Sequence, residues 1–250
     1  MKRILSGKVC QNIAVPVVQI KPLTTSILQV FLELPSPIEY EAGQYLEIVM
    51  ADGRQLAFSI ANAPLGSHQL ELHIRHTPEN EVSARLITDI KTQGSLQIMM
   101  PLGECTYRSL KPNMPIIFMA RGTGFAPIKA IIEQLLTEGS TTPMHLYWGA
   151  RNLADHYLDE LPRSWAEHVE TFEYTPVFCP EEPGEEVSSK WTGRSGDLVD
   201  LIAMDYYPDL EHYQVLAAGP FDLVFKARDV FERQGLLRSN MYADAFAFES

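Results

Sequence analysis

A glycine-containing turn in the middle of the chain has the residue types of a phosphate site. Arg121-Gly-Thr-Gly124 follows the apolar run 116–120 and precedes a helical pattern over 128–136. Glycine lets the backbone approach a ligand closely, and free N–H groups at a helix start attract phosphate. The same motif also occurs as a plain structural turn, so by itself it leaves both interpretations open.

A second turn of this kind follows later in the chain. Gly219-Pro220 stands between the apolar run 213–218 and a helical pattern over 221–234. Ligands of open parallel sheets bind outside the carboxyl ends of the strands. Two such turns therefore favour a nucleotide site at one sheet edge, although the GxGxxG fingerprint of ordinary dinucleotide-binding folds is absent from the sequence.

Metal-centred chemistry is not supported. The three cysteines, Cys10, Cys105 and Cys179, are widely spaced, there is no CxxC pair, and the seven histidines show no ligand spacing. We therefore predict no metal ion and no iron–sulfur cluster in this chain. Sparse, odd cysteines also fit a reducing compartment without disulfides.

Charge and hydropathy exclude further classes. The net charge of −12 argues against nucleic-acid and anionic-membrane binding. The N-terminal residues lack the apolar core of a signal peptide, and no apolar run reaches the length of about 18 residues that a membrane span needs. These observations predict a cytoplasmic protein with neither nucleic-acid nor membrane partners.

The elements that must position the turns divide the chain in two. Residues 1–112 show short alternating runs separated by turn signals, which predicts a small antiparallel barrel or sandwich with one helix over 82–90. From residue 113 to 250, strands alternate with helices, which predicts a parallel sheet with crossover helices. The predicted strands of this second part are 116–120, 145–149, 171–177, 213–218 and 240–248, and its helices are 128–136, 155–161, 197–204 and 221–234.

Seven short motifs, in the same order, resemble those of the ferredoxin–NADP reductase superfamily. The ending Asp244-Ala-Phe-Ala-Phe248 and the alanine at 218 are most similar to bacterial NAD(P)H:flavin oxidoreductases. The resemblance covers nearly the whole chain. The motifs are Gly43-Gln-Tyr45, Phe58-Ser59, Pro101-Leu-Gly103, Gly122-Thr-Gly124 with Pro127, Tyr147-Trp-Gly-Ala-Arg151, Trp191-Thr-Gly-Arg-Ser-Gly196 and Ala218-Gly-Pro220.

This resemblance implies a flavin-binding Greek-key barrel over residues 1–112 and an NAD(P)-binding α/β domain over 113–250, with the flavin ring between them. It implies hydride transfer from NADH or NADPH to a flavin, FAD or FMN, which is either bound or used as a substrate. Ser59 and Thr123 are the implied catalytic residues. The implied cofactor-binding residues are Arg54, Phe58, Ser59, Gly122, Thr123, Gly124, Arg151, Arg194, Gly219, Pro220 and Phe248.

Three departures from the family pattern bear on the flavin. Leu56 stands where the family has a phosphate-binding arginine, and Arg54, two residues earlier, is the expected substitute. Arg121 replaces the first glycine of the family's G-G-T-G, and it either fills the ring pocket or supplies a cation for phosphate. Asn80-Glu-Val-Ser83 replaces a Gly-rich pyrophosphate turn. Two of these changes argue against tightly bound FAD and favour loosely bound flavin or changed chemistry.

The sequence leaves three functions open. The first is reduction of free flavin by NAD(P)H. The second is a FAD-containing reductase component that passes electrons to a separate iron–sulfur protein or oxygenase partner. The third is a degenerate, non-catalytic nucleotide-binding member, marked by Leu56 and Arg121. Without the resemblance, Phe58 reads as a core residue, and Arg151 and Arg194 read as solvated surface arginines.

Overall fold

The computed structural model describes residues 4–5, 8–66, 68–77, 79–180 and 191–248, without the side chains of residues 4, 5, 8, 9 and 248. The chain forms two compact units. The barrel unit comprises Met1–Ser109 with Lys129–Gly139, and the α/β unit comprises Leu110–Ile128 with Ser140–Ser250. The domain boundary between residues 112 and 113 stays a prediction.

The barrel unit is an antiparallel sheet of six strands in the order β6-β5-β8-β3-β4-β7. An isolated bridge between Ile60 and Leu72 joins the chain after β6 to β7 and closes the barrel, which confirms the predicted barrel. A separate antiparallel pair, β1 and β2, precedes it. The elements are β1 (Ile4–Leu5), β2 (Lys8–Val9), β3 (Gln11–Pro22), β4 (Ile27–Glu33), β5 (Tyr45–Val49), β6 (Gln55–Ser59), β7 (Gln69–Arg75), α1 (Glu81–Gln93) and β8 (Ser95–Leu102).

Two of the sequence motifs stabilise each other inside the barrel unit. The amide of Gln44 donates to the carbonyl of Gly103 at 2.9 Å and accepts from the N–H of Glu41 at 2.8 Å. Gln44 is 4% exposed, so both polar atoms of its amide are satisfied away from water. This connection fixes the loop before β5 against the end of β8.

Strand β7 is buried on both faces. Leu70, Leu72 and Ile74 alternate into the barrel core, as the period of two predicts. The residues between them, Glu71 and His73, point to the opposite face and are also buried. A polar face of this kind needs hydrogen-bonding partners, because burial of an unpaired charge costs several kcal/mol.

Lys129 from the helical segment of the barrel unit supplies the main partner. Its ammonium lies 2.9 Å from Glu71 Oε2, 2.8 Å from Glu133 Oε1 and 3.0 Å from the carbonyl of Ala61. The other oxygen of Glu71 accepts from Gln29 at 2.6 Å and lies 2.8 Å from His73 Nε2. We call these residues the Lys129–Glu71 network.

The network predicts a pH dependence of stability. Burial favours the neutral form of Glu71, but the hydrogen bond from His73 and the charge of Lys129 outweigh it and hold the pKa at about 2, below the ordinary 4.5. A depressed pKa contributes stability above pH 4.5 that is lost as the pH falls toward 2. The destabilisation caused by Glu71→Gln, measured by urea unfolding, should be about 3 kcal/mol at pH 7 and should shrink between pH 5 and 2. A difference that is constant with pH would contradict this assignment.

The α/β unit is a parallel six-stranded sheet in the order β12-β11-β10-β9-β13-β14, as predicted. Helices α4 and α5 pack on one face, over Ile117 and Met119 of β9. The elements are β9 (Ile116–Arg121), α2 (Phe125–Thr137), β10 (Met144–Ala150), α3 (Glu160–His168), β11 (Phe172–Phe178), β12 (Arg194–Ser195), α4 (Leu198–Asp205), β13 (Gln214–Ala218), α5 (Phe221–Arg233) and β14 (Met241–Tyr242). Among the described residues, no helix is both long and apolar enough to cross a membrane.

Two predicted elements of this unit were wrong. The last strand, expected over 240–248, is only Met241–Tyr242, and a 3-10 helix follows over Asp244–Phe248. The helix expected over 155–161 is instead α3, Glu160–His168, preceded by a 3-10 turn. Pro162 lies in the first turn of α3. Backbone N–H groups there have no acceptor within the helix, so a proline, which lacks this N–H, is tolerated.

Candidate functional site

The two glycine-containing turns meet at the point where the strand order of the α/β unit reverses. From β9 the chain adds β10, β11 and β12 on one side, and then returns to add β13 and β14 on the other side. Open α/β sheets bind ligands in the crevice outside the carboxyl ends of the strands at such a switch point. Here the crevice lies between the end of β9 at Arg121 and the end of β13 at Ala218.

Gly124 is required by the close approach of the two turns. A Cβ at this position would lie 2.2 Å from the carbonyl oxygen of Ala218 and 2.9 Å from the N of Gly219. No other residue type fits unless the backbone moves. The structure thereby brings Gly122, Thr123 and Gly124 together with Gly219, as the sequence predicted for one sheet edge.

Gly219 serves the crevice in a second way. Its φ of +158° lies in the region that side chains rarely adopt, and a Cβ there would lie 3.1 Å from Cβ of Arg121. Pro220 follows directly and caps α5 in an extended conformation. The end of β13 is therefore backbone with no side chain directed toward Arg121.

A stacked pair of aromatic side chains holds the Gly122–Gly124 turn in place. Trp148 of β10 is fully buried and donates its indole N–H to the carbonyl of Gly122 at 3.0 Å. Its ring stacks on Phe125 with centroids 4.0 Å apart and an interplanar angle of 17°. Phe125 begins α2, which has no acidic residue in its first turn, so the positive end of the helix dipole is not neutralised locally.

The hydroxyl of Thr123 makes no hydrogen bond with any residue in the described part of the chain, and the side chain is half-buried. A hydroxyl at the crevice that has no internal partner can donate to a ligand or accept from it. Thr123 lies in the turn that follows β9, and its role at a ligand stays a prediction.

The barrel unit contains a separate cavity of about 290 Å³. Phe58 and Leu56 of β6 form one wall together with Leu86 of α1. Asn80 and Ser83 lie at the start of the same helix. The cavity is lined by Gln55, Leu56, Ala57, Phe58, Arg75, Asn80, Val82, Ser83 and Leu86.

Ser59 follows Phe58 on the opposite face of β6 and pairs in register with Tyr45 of β5. It is half-buried, and its hydroxyl makes no hydrogen bond with a described residue. Of these two predicted flavin contacts, Phe58 lines the cavity and Ser59 does not.

Arg54 is not brought to the cavity. It lies in the turn between β5 and β6, and its guanidinium donates to Asp52 at 2.5 Å and 2.9 Å. Hydrogen bonds from Arg54 lower the pKa of Asp52 to about 2. Because this pair is exposed, Arg54 is positioned toward solvent and its own hairpin.

Arg75, which the sequence reasoning passed over, is the arginine that lines the cavity. It is the last residue of β7, eight positions before Ser83. A basic residue at the end of a strand, followed by a helix N-terminus, is the sequence signal that could have identified it.

The two arginines proposed for the nucleotide lie near strand ends of the α/β unit. Arg194 opens β12 and is ion-paired with Asp205, which also accepts from the hydroxyl of Tyr147 at 2.7 Å. Burial and this hydrogen bond raise the pKa of Tyr147 well above its ordinary value. Arg151 is exposed and directly follows β10.

The chain ending is described only in part. Phe246 packs against the core cluster of the α/β unit, with its ring centroid 6.1 Å from that of Phe225. The guanidinium of Arg228 lies 5.1 Å from the ring of Phe225 and 5.8 Å from that of Phe246. The predicted ring contact of Phe248 lies outside the described side chains.

No group of three or more His, Cys, Asp or Glu in the described ranges is arranged to hold a metal ion. None of the three cysteines forms a disulfide, and Cys10 and Cys179 are buried. In Cys179, burial raises the pKa of the thiol, while the charge of Arg121 acts in the opposite direction.

Comparison with known proteins gives consistent matches. The family model described as the oxidoreductase NAD-binding domain matches residues 118–229. An NAD(P)H-flavin reductase from Vibrio harveyi is 32% identical over 235 residues, which cover 92% of this chain and 96% of that protein. A CDP-6-deoxy-L-threo-D-glycero-4-hexulose-3-dehydrase reductase from Yersinia pestis is 34% identical over 221 residues, which cover 88% of this chain.

The Yersinia protein is longer, and the match covers only 64% of it. Among solved structures, a cytochrome P450 reductase from Amycolatopsis superposes with a TM-score of 0.83 at 25% identity, covering 95% of this chain and 71% of that one. The two-unit arrangement of an antiparallel barrel and a parallel nucleotide-type sheet is thus shared with proteins of known fold.

Proposed function

This chain belongs to the ferredoxin–NADP reductase superfamily and is flavin reductase-like, and from that membership we propose that it oxidises NADH or NADPH and reduces a flavin. The observation that carries the proposal is the pair of prepared sites. One is the switch-point crevice, where Gly124 packs against Ala218. The other is the cavity beside Phe58 in the barrel unit.

The cavity fits a flavin by its chemistry. Apolar walls from Leu56, Phe58 and Leu86 suit a flat aromatic ring system, and Asn80 and Ser83 offer polar atoms near the start of α1. When bound, the flavin supplies an acceptor for the hydride of the nicotinamide. The barrel residues that line the cavity bind and orient this ring. Ser59 does not line the cavity, so its contact with the flavin is proposed from the family resemblance alone.

The crevice would receive the nicotinamide nucleotide. Gly122, Gly124 and Gly219 allow the backbone to approach the ligand, and Pro220 fixes the path of the chain beside it. Thr123 would hydrogen-bond to the nicotinamide nucleotide. Hydride transfer needs orientation and exclusion of water more than a general acid, so these residues act by positioning.

Arg151 and Arg194 remain our candidates for the adenosine ribose or a 2′-phosphate. Arg194 is already paired with Asp205, so a phosphate has to compete with that carboxylate. Arg151 extends from the end of β10 without being buried.

The flavin would bind loosely enough to leave as a product. Leu56 replaces the arginine that would pair with a flavin phosphate, and the first turn of α1 carries Glu81, which repels anions at the helix N-terminus. Weak phosphate recognition favours flavin as a substrate over flavin as a permanent cofactor. A cytoplasmic location accords with this use of diffusible flavin and with the free cysteines.

A steady-state assay tests the proposal. We expect oxidation of NADH or NADPH, followed at 340 nm, when riboflavin, FMN or FAD is added. The absence of oxidation with all three flavins and both nucleotides would sink the proposal, whereas robust turnover excludes the non-catalytic alternative.

The phosphate contact of the flavin has its own prediction. Arg75→Gln should raise the KM for FMN about 10-fold and leave the KM for riboflavin unchanged, because only FMN carries a phosphate for the guanidinium. Arg54→Gln should change neither value, because Arg54 is engaged with Asp52 away from the cavity. The reverse result, with Arg54→Gln selectively affecting FMN, would assign the contact to Arg54.

A second candidate function is a reductase that serves a protein acceptor. The Yersinia protein is named as the reductase of a dehydrase and the Amycolatopsis protein as a cytochrome P450 reductase, and both proteins are longer than this chain. In this alternative the chain holds FAD and passes electrons to a separate iron–sulfur protein or oxygenase. FAD that stays with the protein through gel filtration would favour it over free-flavin reduction.

A further inference from the structure

Arg121 occupies the centre of the switch-point crevice. It is the last residue of β9, next to the 3-10 turn Gly122–Gly124. By the alternation of a strand, its side chain lies on the same sheet face as Ile117 and Met119. The side chain is half-buried, so part of its surface is open to solvent.

The strand neighbours of Arg121 carry no side chains of their own. Its register partner on β10 is Gly149. On β13, Ala218 pairs with Ala120, so the next residue, Gly219, stands beside Arg121, and a Cβ there would lie 3.1 Å from Cβ of Arg121. A large cationic side chain therefore emerges between two strands that present glycine on either side.

The guanidinium has no counter-ion among the described residues. It makes no hydrogen bond or ion pair with any of them. By contrast, six other arginines of the described chain have a carboxylate at 4 Å or less, namely Arg54, Arg85, Arg108, Arg163, Arg194 and Arg228.

A nearby acid does not neutralise this charge. Asp197 acts electrostatically on the same thiol of Cys179 as Arg121 does. However, Asp197 is engaged by Lys226 at 2.9 Å and accepts from the N–H groups of Val199 and Asp200. A partly buried cation without an internal partner is suited to an anion that arrives with a ligand.

The turn that follows contributes in the same direction. Helix α2 is 13 residues long and begins directly after Gly124 with no acidic side chain in its first turn. The positive end of its dipole and the guanidinium thus act on the same crevice. Phosphate oxygens suit both groups, since guanidinium pairs with phosphate through two parallel hydrogen bonds.

We propose that Arg121 binds the pyrophosphate of the nicotinamide dinucleotide at the switch point between β9 and β13. This inference rests on the proposed function and deepens it, because it assigns to this chain an anion contact at a position where the family motif has glycine. The residue positions the dinucleotide and takes no part in the hydride step. Its removal should weaken binding of the nucleotide and leave the maximal turnover rate nearly unchanged.

The test uses ADP-ribose, which carries the pyrophosphate of the dinucleotide. Because it has no nicotinamide ring, it binds without undergoing hydride transfer. Calorimetric titration of the full chain should give a Kd for ADP-ribose that is about 10- to 100-fold higher in Arg121→Gln than in wild type. Arg121→Lys should fall between them, because lysine keeps the charge and loses the bidentate geometry. Affinity for adenosine, which has no phosphate, should be the same in all three proteins.

Arg233→Gln is the matched control. Arg233 is an exposed arginine in the last turn of α5, a 13-residue helix whose first turn follows Pro220 at the crevice, and its substitution removes the same charge. We expect it to leave the Kd for ADP-ribose unchanged. If Arg233→Gln raises the Kd for ADP-ribose as much as Arg121→Gln does, the loss of affinity comes from the change in net charge and the proposal is overturned.

The remaining outcomes separate this inference from the proposed function. Equal ADP-ribose affinities in wild type, Arg121→Gln and Arg121→Lys overturn the role of Arg121, even if wild type oxidises NADH rapidly. A parallel loss of adenosine affinity also overturns it, because the contact would then be to the nucleoside. Failure of wild type to oxidise NADH or NADPH with any flavin overturns the proposed function itself.

Discussion

Gly124→Ala should abolish most of the NAD(P)H oxidation and lower the free energy of unfolding by about 3 kcal/mol. The added Cβ would lie 2.2 Å from the carbonyl oxygen of Ala218, a backbone atom that no side-chain rotation can move away. The turn after β9 and the turn after β13 would have to separate, which changes the crevice where the nucleotide is proposed to bind. Misplacement of this kind by about 1 Å can cost 100-fold in rate. Urea unfolding and the 340-nm assay measure the two effects.

Gly139→Ala provides the contrast. Gly139 has a φ of +70°, but no atom lies within 4 Å of a Cβ built there, so only backbone strain of about 1 kcal/mol is expected. Activity should stay near that of wild type. If both alanine variants lose stability and activity equally, the close approach at Gly124 is not the cause.

Lys129→Met should destabilise the protein by about 3 to 5 kcal/mol, the range measured when one partner of a buried ion pair is removed. The substitution keeps the volume of the side chain but leaves Glu71 as a buried carboxylate without its cation. The side chains of Lys129 and Glu71 are only 7% and 8% exposed, so water cannot substitute. The measurement is the unfolding free energy in urea at pH 7.

Two companion variants make this result interpretable. Lys226→Met breaks the ion pair between Lys226 and Asp197, whose side chains are 44% and 42% exposed. This substitution should lower the free energy of unfolding by less than about 1 kcal/mol. The double variant Glu71→Gln, Lys129→Met should be more stable than Lys129→Met alone, because the uncompensated charge is gone. A double variant that is no more stable would show that packing, and not charge, dominates the loss.

The features that sequence predicted well are those with local physical causes. The alternation of apolar residues located β4 and β7, and closure of the barrel followed from many short strands with turn signals. The turn at Gly122–Gly124 could be predicted because an apolar run, glycines and a helical pattern follow one another directly. The switch-point crevice follows once the sheet is parallel, and the structure places both glycine turns there.

The wrong elements failed for equally local reasons. Small and aromatic residues alternate over 243–248 as they would in a strand, yet this segment winds into a 3-10 helix. The predicted helix over 155–161 ended before Pro162, although proline is tolerated in the first turn of the helix that it accompanies. An alternating pattern is compatible with a strand or a 3-10 helix, and a proline can follow the end of a helix or lie in its first turn. Only tertiary packing distinguishes these outcomes.

Long-range polar contacts could not be predicted. Lys129 and Glu71 are 58 residues apart, and each alone has the sequence character of a solvated surface charge. Arg54 was the predicted partner of a flavin phosphate, and Arg75 was not considered. The hairpin pairing of Arg54 with Asp52 and the location of Arg75 at the cavity favour Arg75.

Helix α2 has a consequence for modularity. Its first residues, up to Ile128, belong to the α/β unit, and its remainder from Lys129 belongs to the barrel unit, where it neutralises Glu71. A single cut near residue 112 would therefore deprive the barrel of part of its own interior. The two halves of this chain are therefore not independent folding units. A chimera with a relative has to take residues 129–139 from the same parent as the barrel, because these residues complete the barrel unit.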